Sequence, residues 1–265
     1  TYRINSLGLR GDDVGPPDGK PRLLALGNSC TFGWGVSHDK SYVQQIENNL
    51  AGEFDVINGG VPGYSSLQGR RFFQNELIDL QPDIVTILFA WNDHWAAAGG
   101  VADKDQQFPP GIVIDIQNVV SHLHSYRLLK KLLLSPIESD PDSLFNRNSP
   151  VYRVHPDDYF ANLKAICRLC VDNSIRPILL TSPLPSLGTY FPPGTKSNMH
   201  AYHEFYNEMV RRLAVEEQFE LVDLARAFDL RDDLFDDASR DPIHFNSEGH
   251  RFAGELIADY LRGKK

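Results

Sequence analysis

Ser29 is the residue whose surroundings best suit a nucleophile. It stands two positions beyond the apolar run RLLALG (residues 22–27), inside the Gly-flanked stretch GNSCTFGWG of residues 27–35. A serine in such a turn can hold its hydroxyl at a strand end while nearby backbone N–H groups face a substrate. Serine needs a base, and a second feature offers one. Asp241 and His244 lie three apart in DPIHFN, just ahead of a helical pattern that Asn246 is placed to cap. This spacing lets the carboxylate orient the imidazole so that its other ring nitrogen faces Ser29 as a general base. Plainer readings exist beside these. Ser29 fits a phosphate-cradling turn or a strand-to-helix corner, although no Lys follows as in a P-loop. A histidine near a helix start often serves as a cap or surface residue.

The elements that must position these residues read as α/β. Five short apolar runs, each followed by an amphipathic stretch, predict a five-stranded parallel sheet covered by helices. The strands are expected over 22–27, 54–58, 83–90, 176–181 and 220–223, and the helices over 42–50, 66–80, 157–172, 197–218 and 247–261. The third strand, DIVTILFA, is almost wholly apolar, as a strand buried on both faces should be. Right-handed crossovers with one switch in strand order give a three-layer α/β/α sandwich of flavodoxin-like topology. Residues 1–20 read as an N-terminal extension and 21–265 as a single domain. About 60 residues, 93–156, interrupt the alternation with Gly99-Gly100, Pro109-Pro110 and a helix-like segment over 119–134. An insertion of that length is expected to be a lid or substrate-side wall.

Ligands of open parallel sheets bind beyond the carboxyl ends of the strands. Four distinctive segments fall at such ends: residues 27–35, NGGVPGYSS (58–66), WNDHW (91–95) and DPIHFN (241–246). In order and spacing they resemble the SGNH (GDSL-like) hydrolase family, from about residue 21 to 261. YRINSLGLRG, residues 2–11, is also similar to the segment preceding the catalytic domain in many bacterial members. The resemblance implies a serine carboxylic ester hydrolase with Ser29, His244 and Asp241 as its catalytic triad. It further implies an oxyanion hole made by the backbone N–H of Ser29, the backbone N–H of Gly63 and the side-chain amide of Asn92. Gly63 is nominated because the family glycine falls five residues after the block's Asn, here Asn58; it also reads as a turn glycine needing positive φ after Pro62. Two departures stand out. Asn28 replaces the usual Asp of Gly-Asp-Ser, and Trp91 stands where a Gly usually precedes Asn-Asp.

The remaining composition mostly excludes. The 265 residues carry a net charge of -9 and no dense run of Lys or Arg, which argues against nucleic acid as a partner. Cys30, Cys167 and Cys170 are too few and too irregular for a disulfide framework, and the last two fit a buried helix face. No apolar run approaches the roughly 18 residues of a membrane span. The compartment stays open between cytoplasm and, if a leader or anchor was removed ahead of Thr1, periplasm or exterior. His122 and His124 lie on different sides of a helix with no carboxylate nearby, so no metal and no cofactor are expected. Phe32, Trp34, Trp91 and Trp95 either line an acyl or sugar pocket or pack the core. The partner is then a small-molecule, lipid or glycan ester. Two further readings are an O-acyltransferase acting on a glycan and a non-catalytic binding module that keeps the fold.

Overall fold

The computed structural model describes residues 2–106, 151–186, 196–237 and 241–263. The helix expected over 119–134 and the pair His122 and His124 lie outside these residues. The chain forms two compact units, Thr1–His94 with Val154–Lys265, and Trp95–Arg153.

The first unit is built on a parallel sheet of β1 (Arg22–Gly27), β2 (Asp55–Gly60), β3 (Ile84–Leu88), β4 (Arg176–Leu180) and β5 (Glu220–Val222), in the order β2-β1-β3-β4-β5. Every residue of β1 and β3 is buried, which explains their unbroken apolar runs. Because all pairings are parallel, all carboxyl ends share one edge. The chain leaves β1 for β2 on one side and returns past it to β3 on the other, so the switch in strand order falls between β1 and β3.

Helices cover both faces. In chain order they are α1 (Ser29–Phe32), α2 (Tyr42–Asn49), α3 (Ser66–Phe72), α4 (Pro156–Asp172), α5 (Lys196–Glu217), α6 (Leu224–Ala227) and, after two further strands, α7 (Ser247–Gly263). α2 packs on α7, while α3, α4 and α5 pack in succession, giving the α/β/α sandwich. The starts follow ordinary capping rules. Ser65 and Gln68 form a reciprocal capping box on α3, and Asn246 Oδ1 accepts the N–H groups of Glu248 and Gly249 at the head of α7.

Besides the short helices α1 and α6, which were not expected, two regions differ from the sequence expectation. The helix expected over 66–80 ends as α3 at Phe72 and continues as a π turn, Phe73–Leu77, and a 3-10 turn, Ile78–Leu80, with Phe73 and Leu77 both buried in the core. The stretch before α7 is not a plain loop: β6 (Phe235–Asp237) pairs antiparallel with β7 (Asp241–Phe245). Phe235 and Phe245 pack against Phe228, which anchors this hairpin.

The second unit, as far as it is described, is held by an Ala96–Tyr152 bridge and by the Arg153 guanidinium paired with the buried Asp103. Among the described residues no helix is long and apolar enough to cross a membrane.

Candidate active site

Ser29 is the first residue of α1, immediately beyond β1. Asn28 caps that helix, its Oδ1 accepting the Cys30 N–H at 3.0 Å. A neutral amide thus makes the cap bond without a buried carboxylate's charge, although Asn28 is only 1% exposed. Gly60, ending β2, permits a close approach from below: a Cβ there would meet the Phe32 nitrogen at 2.2 Å. The serine therefore projects from a short turn wedged against two strand ends.

β7 brings the other two groups. His244 Nε2 is 2.9 Å from Ser29 Oγ. Its Nδ1 is 2.7 Å and 3.0 Å from the two Asp241 oxygens. With Nδ1 donating to the carboxylate, Nε2 is left as the acceptor facing the serine hydroxyl. Burial pushes Asp241 up, but hydrogen bonds from the His244 side chain and from the His244 and Ile243 backbone outweigh it and hold the carboxyl below its ordinary value. Cys30 ties the two halves together, its Sγ donating to the Ile243 carbonyl at 3.3 Å. The residue after the serine is thereby fixed to the residue before the histidine.

Gly63 and Asn92 sit on two connected loops. Val61 to Tyr64 form a turn closed by Tyr64 N–H to Val61 O at 3.2 Å, with Pro62 second and Gly63 third at φ +83°. Asn92 is 7% exposed, and its Nδ2 donates to the Tyr64 carbonyl at 3.0 Å. That bond uses one amide hydrogen and leaves the second for another acceptor. Next to it, Asp93 Oδ1 accepts the Ser66 N–H at 2.7 Å at the head of α3. The loops after β2 and β3 are thus pinned to each other by Asn92 and Asp93.

The GDSL-like lipase/acylhydrolase family model matches residues 25–252, most of the chain. The chain belongs to this family. It is a carboxylic ester hydrolase of the SGNH/GDSL type. Solved structures share its fold. The lipase/acylhydrolase from Enterococcus faecalis is 18% identical, with 92% of this chain and 96% of that one covered at a TM-score of 0.60. An acetyl xylan esterase, AlAXEase, is 14% identical over 91% and 99% at 0.58. The psychrotrophic esterase EstA from Pseudoalteromonas sp., in a structure inhibited by monoethylphosphonate, is 14% identical over 92% and 98% at 0.57. No curated protein sequence matches the chain.

The hydrolase places its aromatic candidates differently. Trp34 is 44% exposed, with its ring centroid 6.2 Å from that of His244. Phe32 is buried under the edge of Tyr2. Trp91 is 1% exposed and packs against His94 and His203, so its place is in the core. Trp95 belongs to the second unit. Trp91, which stands where the family usually has Gly, does not take a positive φ. The left-hand backbone conformation lies one residue earlier, at Ala90 with φ +138°, whose carbonyl accepts from both Asp93 and His94. A non-glycine residue held there stores strain beside the Asn92 loop. The His94–His203 hydrogen bond, 3.0 Å long and buried, had no sequence signal beyond two histidines far apart. Among the described residues no group of three or more His, Cys, Asp or Glu is placed to hold a metal ion.

Proposed function

We propose that the hydrolase works through an acyl-enzyme on Ser29, with His244 as general base and Asp241 as the group that orients it. The 2.9 Å approach of His244 Nε2 to Ser29 Oγ, with the carboxylate on the far side of the ring, is the observation that carries this reading. Ser29 Oγ attacks the ester carbonyl carbon while its proton passes to His244 Nε2. The resulting oxyanion is held by the N–H of Ser29, the N–H of Gly63 and the second amide hydrogen of Asn92. As the first residue of α1, Ser29 has no intrahelical acceptor for its N–H. Donors so fixed are each worth about 3 kcal/mol to the transition state. Collapse breaks the bond to the alcohol, which leaves with the proton from His244. Water, deprotonated by the same nitrogen, then releases the acid and restores Ser29.

The substrate we favour is a small acyl ester, in particular the acetyl ester of a carbohydrate. An acetyl xylan esterase shares the fold, and the exposed indole of Trp34 beside His244 offers a flat apolar face to a sugar leaving group.

Turnover of short-chain aryl esters by wild type and Ser29→Ala tests the reading. Loss of at least about 10⁴-fold is expected in the variant, together with labelling of wild-type Ser29 by a fluorophosphonate. Equal turnover by both proteins rejects it. If an added saccharide emerges acylated in place of free acid, the enzyme is an O-acyltransferase using the same acyl-serine.

A further inference from the structure

Arg10 lies ahead of β1 and ahead of residues 25–252 that match the family model, and its side chain ends against the loop that follows the serine. The residue is 2% exposed. Nη1 donates to the carbonyls of Phe32, at 2.7 Å, and Gly33, and Nη2 donates to the carbonyl of Val36 at 2.7 Å. Among the described residues no carboxylate pairs with it. The guanidinium instead lies 4.7 Å from the ring centroid of Tyr2 and 5.0 Å from that of Phe32. Taking a guanidinium out of water costs several kcal/mol, and with Asp39 acting on it only from beyond ion-pair distance, the carbonyl partners must offset most of that cost here.

Two of those carbonyls, of Phe32 and of the capping Gly33, are the loose end of α1, and the third, of Val36, belongs to the loop that follows. A helix of four residues has no stability of its own, and its last carbonyls lack intrahelical donors. A cation is the favoured group at such an end. Asn58 completes the clamp, its Nδ2 donating to the carbonyls of Thr31 at 3.0 Å and Phe32 at 3.4 Å. Tyr2 adds a third anchor, its hydroxyl accepting the Gly35 N–H at 2.9 Å. The loop held in this way reaches back to the serine: Gly33 N–H and Trp34 N–H both donate to the Ser29 carbonyl at 3.0 Å. Displacing residues 32–36 would therefore turn the Ser29 peptide and move Oγ relative to His244.

We infer that Arg10 is a positioning residue for Ser29, and that the segment ahead of β1 is a working part of the active site. The inference rests on Ser29 being the nucleophile. It concerns catalytic geometry, so the loss belongs in kcat and in the reactivity of Ser29 more than in KM.

The test is Arg10→Met and Arg10→Lys in the full chain, with circular dichroism to confirm the fold. Ser29 is labelled with a fluorophosphonate, and kcat and KM are measured on a short aryl ester. Arg10→Met is expected to lower both the labelling rate and kcat about 100-fold, the cost of a misplaced reacting atom, while KM moves less than about twofold. Arg10→Lys keeps the charge but reaches fewer carbonyls, and should recover most of that loss, remaining about tenfold below wild type, as for one missing charge-assisted bond. A folded Arg10→Met enzyme at the wild-type labelling rate and kcat overturns the inference. If that variant does not fold, a lysine variant at full rate overturns it equally. Failure of wild-type Ser29 to label rejects the nucleophile itself and this inference with it, whereas wild-type labelling matched by Arg10→Met rejects only the role of Arg10.

Discussion

His244 and His203 each hold one ring nitrogen against an oxygen acceptor and the other against a second polar side chain, yet their surroundings give them opposite chemistry. His203 Nε2 donates to the Ser182 carbonyl at 2.8 Å, and its Nδ1 faces His94 Nε2 at 3.0 Å. Both of these histidines are enclosed. Burial pushes His203 down to about 4 and holds His94 well below its ordinary value. The pair therefore stays neutral near pH 7 and acts as a strut between the loop after β3, the exit of β4 and α5. His244 has a carboxylate where His203 has a carbonyl, a serine hydroxyl where His203 has another imidazole, and a side chain 16% exposed. A charge on one side and access on the other suit the base proposed for His244; burial alone makes a neutral link.

The sharpest way to break this contrast is to give His244 a neutral partner. Asp241→Asn removes the charge that stabilises an imidazolium and offers an NH₂ group that favours the wrong tautomer. A fall in kcat of about 10⁴-fold is expected, with the fold retained because the β6–β7 hairpin stays packed through Phe235 and Phe245. Steady-state kinetics on an aryl ester would measure it. A loss below about tenfold would mean that the carboxylate orients nothing.

A smaller effect is expected where the two regions meet. Asn92, Asp93 and His94 are consecutive, and they serve in turn the Tyr64 carbonyl, the head of α3 and His203. Asn92→Ala should lower kcat about 10²- to 10³-fold, as for loss of one oxyanion donor, with KM little changed. Proportional changes in KM would instead place the amide in ground-state binding.

The sheet was legible because buried parallel strands leave unbroken apolar runs: β1 falls on residues 22–27 as expected, and the other strands differ only at their ends. Ser29, Asp241 and His244, which lie within hydrogen-bonding distance of one another in turn, could be nominated as a set because each lies at a strand end or helix start, where type and spacing carry information. What escaped was set by tertiary contact. DPIHFN, with Pro242 and so few residues, gives no strand alternation until β6 is beside it. Arg10 carries no mark of burial in the sequence, and only packing shows it enclosed. Ala90 carries no mark of its positive φ, which the turn into Asn92 imposes.

The smallest effect tests the neutral strut. His203 has a folded value of about 4 against an ordinary 6.5, so between these pH values the unfolded chain binds more protons than the folded one. Stability then falls as pH drops from 6.5 towards 4, by roughly 3 kcal/mol at most from this residue. His203→Gln can still donate to the Ser182 carbonyl but does not titrate. Urea unfolding at a series of pH values should give a shallower acid decline for the variant. The slope that remains belongs in part to His94 and to His250, which burial pushes down to about 3, so that His250 contributes over the same pH range and on below 4. At neutral pH the variant is expected to lose some stability against Trp91 and to keep kcat within about threefold, because the substituted ring touches neither Ser29 nor His244. Unchanged acid sensitivity would show that His203 takes up its proton at the same pH in the folded enzyme as in the unfolded chain, and the contrast with His244 would then rest on the carboxylate alone.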